Sequence, residues 1–174
     1  MSNVKKYLLT AVTLGCIAMA SGLLIGATNL ITKDRIAKNE QLKIEKGVQG
    51  IFGESASVKE KNAIDGNYQY VVERYVINES ETLVGYAFRT EGSNSYGKVS
   101  LIIGFTSNDC AFKGLSVIVN EQTYASTLVE NYIDPLNAGA RDVSDVSCGA
   151  TYGAKLVRDM VNEAQEVAKT LVGV

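Results

Sequence analysis

Tyr68-Gln69-Tyr70-Val71-Val72-Glu73-Arg74-Tyr75-Val76-Ile77 is where the apolar residues of this chain begin to alternate with a period of two. Aromatic and β-branched residues suit a pleated, half-buried surface, so the run predicts a strand. Further runs of the same character follow at residues 83–89, 98–105 and 113–120. They are separated by Asn78-Glu79-Ser80, by Glu91-Gly92-Ser93-Asn94 and by Thr106-Ser107-Asn108-Asp109, all rich in turn formers. This spacing predicts an antiparallel sheet of at least four strands joined by hairpins. Most of the folding energy is expected in the apolar face of that sheet.

Beyond the sheet, residues 121–131 are more polar, with Leu128 and Val129 at helical spacing and Asp134-Pro135 as the expected break. A final helix is predicted over residues 154–171. There Val157, Met160, Val161, Ala164, Val167, Ala168 and Leu171 form one apolar stripe at three–four spacing. A striped helix covering a sheet gives an α+β layer fold.

Upstream, no charged residue occurs between Tyr7 and Ile31. A membrane-spanning helix needs ~20 mostly apolar residues, so this run is long enough. A cleaved signal peptide competes with it, because Ala18-Met19-Ala20 forms an A-x-A site. The apolar run continues through Leu23-Leu24-Ile25-Gly26-Ala27, which favours retention. A lipoprotein reading at Cys16 is weaker, since Thr13 stands where leucine is usual. Lys5 and Lys6 precede the span while Lys33, Arg35 and Lys38 follow it, so charge leaves the orientation open. Residues 32–50 then mix charge with Ile36, Leu42, Ile44 and Val48, as a helical stalk would, ending near Gly50 and Gly53. Asp65-Gly66 is a turn signal before the sheet. The resulting division is an anchor at 1–32, a stalk and linker at 33–67, and a domain at 68–174.

Composition removes whole classes of chemistry. The chain has 174 residues, 46% of them hydrophobic, which suits one domain with an appendage. A net charge of −2 and a pI near 5.3 offer no basic field for nucleic acid. There is no histidine, hence no Ser-His or Cys-His pair and no common transition-metal ligand set. No catalytic residue and no metal ligand is assigned. Cys16, Cys110 and Cys148 lie far apart without CxxC spacing, which makes iron–sulfur, zinc and thioredoxin-type sites improbable. Cys110 and Cys148 fit either one disulfide or two buried thiols. Any redox chemistry must come from a bound cofactor.

The segment suited to hold one is Asp145-Val146-Ser147-Cys148-Gly149-Ala150-Thr151-Tyr152-Gly153-Ala154-Lys155. A polar run passes there into a helix, and small residues leave the Thr151 hydroxyl uncovered. A helix start attracts phosphate, because unpaired N–H groups and the helix dipole both favour an anion. The plain alternative for Thr151 is a helix cap worth ~1 kcal/mol; for Asp145 it is a solvated loop carboxylate.

Residues 145–151 resemble the D-x-x-[ST]-G-A-T flavinylation motif of the FMN-binding domain family. That family includes the RnfG component of Rnf ion-translocating electron-transport complexes and the corresponding flavin-bearing component of sodium-pumping NADH:quinone reductases. The resemblance implies that a separate flavin transferase esterifies the Thr151 hydroxyl to the phosphate of FMN. Asp145 is then the motif aspartate, read by the transferase or bonded to the turn, and Gly149 and Ala150 are the small pair. Cys148 and Gly153 depart from the residues usual at those positions. The early apolar helix, the stretch Asn29-Leu30-Ile31-Thr32 and the element Glu121-Gln122-Thr123 also resemble the family, although Tyr124-Ala125 replaces its Pro-Gly.

Carried onto this chain, the resemblance implies a cofactor site built from Thr151, Gly149, Ala150, Cys148, Tyr152, Lys155, Tyr96, Thr123, Tyr124 and Leu128. Lys155 would add a counter-charge, and Tyr96, Tyr124 and Leu128 would contact the flavin ring. The implied protein is a single-pass subunit of the cell (inner) membrane with its soluble domain outside the cytoplasm. Its implied partners are integral-membrane subunits and the transferase. It would relay electrons rather than act as a catalyst alone. A free-standing flavin carrier and a membrane-anchored assembly or binding domain without flavin are the competing readings.

Overall fold

The computed structural model describes residues 3–64 and 66–172, so Asp65 of the expected Asp65-Gly66 turn lies outside the described residues. The chain divides into two units, Met1–Gln41 and Leu42–Val174. Helix α1 (Asn3–Phe52) is continuous and contributes to both.

In the first unit, Lys5–Asn29 has a mean hydropathy of 2.2 over its most apolar window. Leu9, Leu14, Ile17, Leu23, Leu24 and Ile25 are all exposed on it. At ~1.5 Å per residue, 25 residues exceed the ~30 Å hydrocarbon core of a bilayer. The hydroxyls of Thr10, Thr13, Thr28 and Thr32 donate to carbonyls one turn back, at 3.0, 2.8, 2.7 and 2.6 Å. Each of these hydroxyls is thus satisfied inside its own helix, which an apolar medium requires.

The second unit is built on a five-stranded antiparallel sheet in the order β1-β2-β3-β4-β5. The strands are β1 (Ala56–Ala63), β2 (Val71–Glu79), β3 (Thr82–Asn94), β4 (Gly97–Thr106) and β5 (Phe112–Asn120). The α+β expectation holds. β1 is a strand that the hydrophobic pattern does not signal: it is a sheet edge, and only Ala56 in it is buried. The turn expected at Glu91-Gly92-Ser93-Asn94 is instead part of β3, which pairs with β4 as far as Asn94 and Gly97. The reversal falls on Ser95 and Tyr96.

The sheet is covered on both faces. On one side Val99, Leu101, Ile103 and Phe105 of β4 join Phe88, Leu115, Leu128, Tyr132 and the apolar stripe of helix α4 (Thr151–Val172). On the other, Ile102 meets Ile44, Val48 and Phe52 at the end of α1, with Tyr75, Ile77 and Ala87. Each fully buried side chain of this size contributes about 1.5–3 kcal/mol. Residues 42–52 and β1 therefore belong to the compact unit, although they fall in the 33–67 segment expected as stalk and linker.

The charges of β2 and β3 are paired, mostly across strands, with Arg89 and Glu91 meeting along β3 itself. Glu73 meets Lys61 at 2.9 Å and Arg89 at 3.6 Å, and Glu91 meets Arg89 at 2.6 Å and Lys98 at 2.9 Å. Burial alone would raise both carboxyls. The Tyr75 hydroxyl and Lys61 at Glu73, and Lys98 and Arg89 at Glu91, outweigh it and hold both below the ordinary range.

After β5 the chain forms α2 (Ala125–Leu128), a π-helical turn (Val129–Ile133) and α3 (Asp134–Asn137). The break expected at Asp134-Pro135 does not occur there. Pro135 sits in the first turn of α3, where its missing N–H and fixed φ are tolerated. α4 starts at Thr151 rather than at residue 154, because the Ala150 carbonyl accepts the Ala154 N–H at 3.0 Å. Its stripe is buried as expected except for Leu171, which is half exposed. Cys110 and Cys148 are separate thiols, both buried.

Candidate functional site

The start of α4 opens onto a cavity of about 260 Å³. It is lined by Tyr96, Gln122, Tyr124, Leu128 and the consecutive residues Gly149, Ala150, Thr151, Tyr152 and Gly153. The N–H groups of Thr151, Tyr152 and Gly153 precede the first helical hydrogen bond, from Ala154 to Ala150. Donors of this kind, with the positive end of the dipole of a 22-residue helix, favour an anion.

The local sequence explains why the chain can approach so closely here. Gly149 has φ +81°, a left-handed conformation that side chains rarely adopt. At Gly153 a Cβ would lie 3.0 Å from Leu128 Cδ2 and 3.3 Å from Gln122 Oε1. Glycine at 153 therefore lets α4 lie against α2. Thr151 is half-buried, while Ala150 beside it is buried.

Three separate elements are joined around the cavity. The Asn94 side-chain amide donates to the Tyr152 carbonyl at 3.2 Å. Gln122 Nε2 donates to Asn94 Oδ1 at 3.1 Å and to the Gly97 carbonyl at 2.5 Å. The Thr123 N–H donates to the Tyr96 carbonyl at 2.9 Å. These bonds tie the β3–β4 turn, the segment after β5 and the first turn of α4 together. Across them the Tyr96 and Tyr152 rings stack with centroids 5.2 Å apart and planes at 22°.

Of the residues named from the sequence, Thr151, Gly149, Ala150, Tyr152, Tyr96, Tyr124 and Leu128 come together in the lining. Cys148, Thr123, Lys155 and Asp145 lie outside it. Cys148 is buried, and its carbonyl accepts from Asn131 Nδ2 at 3.3 Å. The Thr123 hydroxyl turns back to the Tyr96 carbonyl at 3.2 Å. Lys155 Nζ lies 5.8 Å from the centroid of the Tyr152 ring. Asp145 pairs with Arg141 at 3.0 Å and accepts the Ser147 N–H at 3.2 Å.

Gln122 and Gly153 also line the cavity; sequence reasoning named neither as a site residue, and passed over Gln122 in favour of its neighbour Thr123. The signal for Gln122 was its place inside Glu121-Gln122-Thr123, but only the fold shows which of the three faces inward. The supports of the loop before α4 were also missed. Arg141 Nη1 donates to the carbonyls of Asp145 at 2.8 Å and Ser147 at 3.2 Å. The Tyr132 hydroxyl donates to the Val143 carbonyl at 2.6 Å, and burial pushes that phenol up to about 12.

Fold and cavity together define a class: an α+β domain on a helix long and apolar enough for a membrane, with a threonine hydroxyl at an anion-favouring helix start. Residues 1–47 match the family described as the RnfG N-terminal region. The chain thus resembles the RnfG family of Rnf-complex components over its apolar helix and the segment that follows, and it fits a membrane-anchored protein. The sheet, the cavity and Thr151 lie beyond the matched residues. No curated protein matches the chain.

Proposed function

We propose that this chain is a membrane-anchored flavoprotein carrying FMN in a phosphoester with Thr151. In this reading it relays electrons as a subunit of an Rnf-type ion-translocating electron-transport complex. The observation that carries the reading is the position of Thr151: it lines a cavity at the start of α4 together with left-handed Gly149 and the stacked Tyr96 and Tyr152. The RnfG match over residues 1–47 supports the choice of complex.

The residues fit the group by chemistry. Unpaired N–H groups at 151–153 suit a phosphate. Tyr96, Tyr124 and Leu128 supply flat and apolar surface for a ring system. Bound FMN would supply the electron transfer, with position and electrostatics left to the protein. The chain's own residues then have defined tasks. The Thr151 hydroxyl gives its oxygen to the phosphoester and loses its proton. Gly149 and Ala150 keep bulk away from that oxygen, and the first turn of α4 offsets the remaining phosphate charge.

Residues 1–32 serve as the anchor, and the domain stands outside the cytoplasm, where the flavin transferase reaches it. Integral-membrane subunits of the complex are the electron partners.

The test is Thr151→Ala in a strain expressing the transferase. Flavin fluorescence in a denaturing gel should vanish while the near-ultraviolet circular dichroism of the domain is kept. Thr151→Ser should retain covalent flavin. Fluorescence that persists in Thr151→Ala would show that the attachment lies elsewhere.

A further inference from the structure

Four carbonyls of the acceptor loop are engaged by side chains that do not line the cavity. Tyr132 holds the carbonyl of Val143, Arg141 holds those of Asp145 and Ser147, and Asn131 holds that of Cys148. Asn131 and Tyr132 both belong to the π-helical turn directly after Leu128, whose side chain does line the cavity. Such turns concentrate at functional sites. Carbonyl lone pairs repel phosphate, so a loop meant to receive one must turn its oxygens elsewhere.

The bond from Asn131 has the most specific consequence. A peptide unit is planar and trans, so its C=O and N–H point in opposite directions. Holding the Cys148 carbonyl toward Asn131 therefore aims the Gly149 N–H away from Asn131. Gly149 lies in the cavity lining, Asn131 does not, and Gly149 carries the positive φ that reverses the chain just before α4.

We infer that Asn131 is a positioning residue for flavin attachment: by fixing the Cys148–Gly149 peptide, it presents the Gly149 N–H to the phosphate on Thr151. The inference rests on the Thr151 attachment proposed above. In that step a P–O bond forms to Thr151 Oγ1, whose proton leaves. The bond from the same phosphorus to the leaving phosphate of a pyrophosphate-linked flavin donor breaks. A Gly149 N–H held in place offsets charge gathering on the phosphoryl oxygens without moving during the step. Arg141 and Tyr132 hold the loop upstream of that peptide.

The test uses the full-length chain coexpressed with a flavin transferase. Intact mass follows the fraction gaining FMN less one water over time. Asn131→Asp keeps the size of the side chain but sets an acceptor against the Cys148 carbonyl. The initial rate of attachment should fall about fivefold to tenfold, as loss of one oriented hydrogen bond implies. The phosphorus-31 resonance of the attached phosphate should also shift, which a merely structural role for Asn131 would not cause. Should Asn131→Asp unfold, Asn131→Ala removes the donor without adding charge and repeats both measurements. An unchanged rate and an unchanged resonance in a folded variant overturn the inference and leave attachment at Thr151 standing. Absence of flavin on the unsubstituted chain removes both.

Discussion

Glu163 joins α4 to the start of β2, and replacing it shows how much that joint holds. Its Oε1 accepts the Gln69 N–H at 2.5 Å, and its Oε2 accepts the N–H groups of Tyr70 at 2.6 Å and Val71 at 3.1 Å. Gln69 is exposed, so water can replace that contact in Glu163→Ala. Tyr70 is half-buried and Val71 buried, so their N–H groups lose a charged acceptor that water replaces poorly. At about 1–2 kcal/mol for each of those two bonds, Glu163→Ala should cost about 2–4 kcal/mol. For a unit of this size that is a fall in Tm of roughly 6–15 °C. Glu163→Gln keeps one acceptor oxygen and turns an amide donor toward a backbone donor, and should fall between Glu163→Ala and the unsubstituted chain. The assay is thermal unfolding of the purified chain in detergent, followed by near-ultraviolet circular dichroism. A Tm within about 2 °C of the parent for Glu163→Ala would refute the claim that this carboxylate fastens the helix to the sheet.

Other predictions concern the opposite face of the sheet and its paired charges. Phe52→Ala should destabilise the domain by about 3–5 kcal/mol, read by urea unfolding, because Phe52 is buried with Ile44, Val48 and Ile77. Acid should act through Glu73 and Glu91. Both are held below the ordinary carboxyl range in the folded chain, so the stability they add is present above that range and is lost as pH falls through their folded values. Tm should therefore fall below pH ~4, and Glu73→Gln should flatten part of that fall.

How much of this was legible in the sequence differs by element. Four strands were legible from period-two apolar runs, and the α4 stripe from its three–four spacing. β1 was not: Ala56-Ser57-Val58-Lys59-Glu60-Lys61-Asn62-Ala63 is a charged edge strand, and charge at an edge hinders pairing with other chains. Its register comes from pairing with β2, a long-range contact that no local pattern carries. The polar end of β3 read as a turn because Gly92, Ser93 and Asn94 are turn formers, yet pairing with β4 carries the strand on to Asn94.

At the candidate site, residues 149–153 and their neighbourhood were legible because a motif concentrates them in one stretch. Gln122, Asn131 and Tyr132 were not, since each acts on a backbone carbonyl or side chain of another segment, and Arg141 acts on carbonyls of its own irregular loop, which no periodic pattern marks. Pro135 misled for a related reason. A proline after helical spacing reads as a stop, yet the π-helical turn before it lets a new helical segment begin with that proline in its first turn.

The central claim concerns the side-chain oxygen of Thr151, and peptide mapping of the protein purified from its native host tests it most directly. The peptide containing Thr151 should be heavier than its sequence by one FMN less one water, with the added mass on the threonine. The same peptide found unmodified in protein from energised, growing cells would contradict the account.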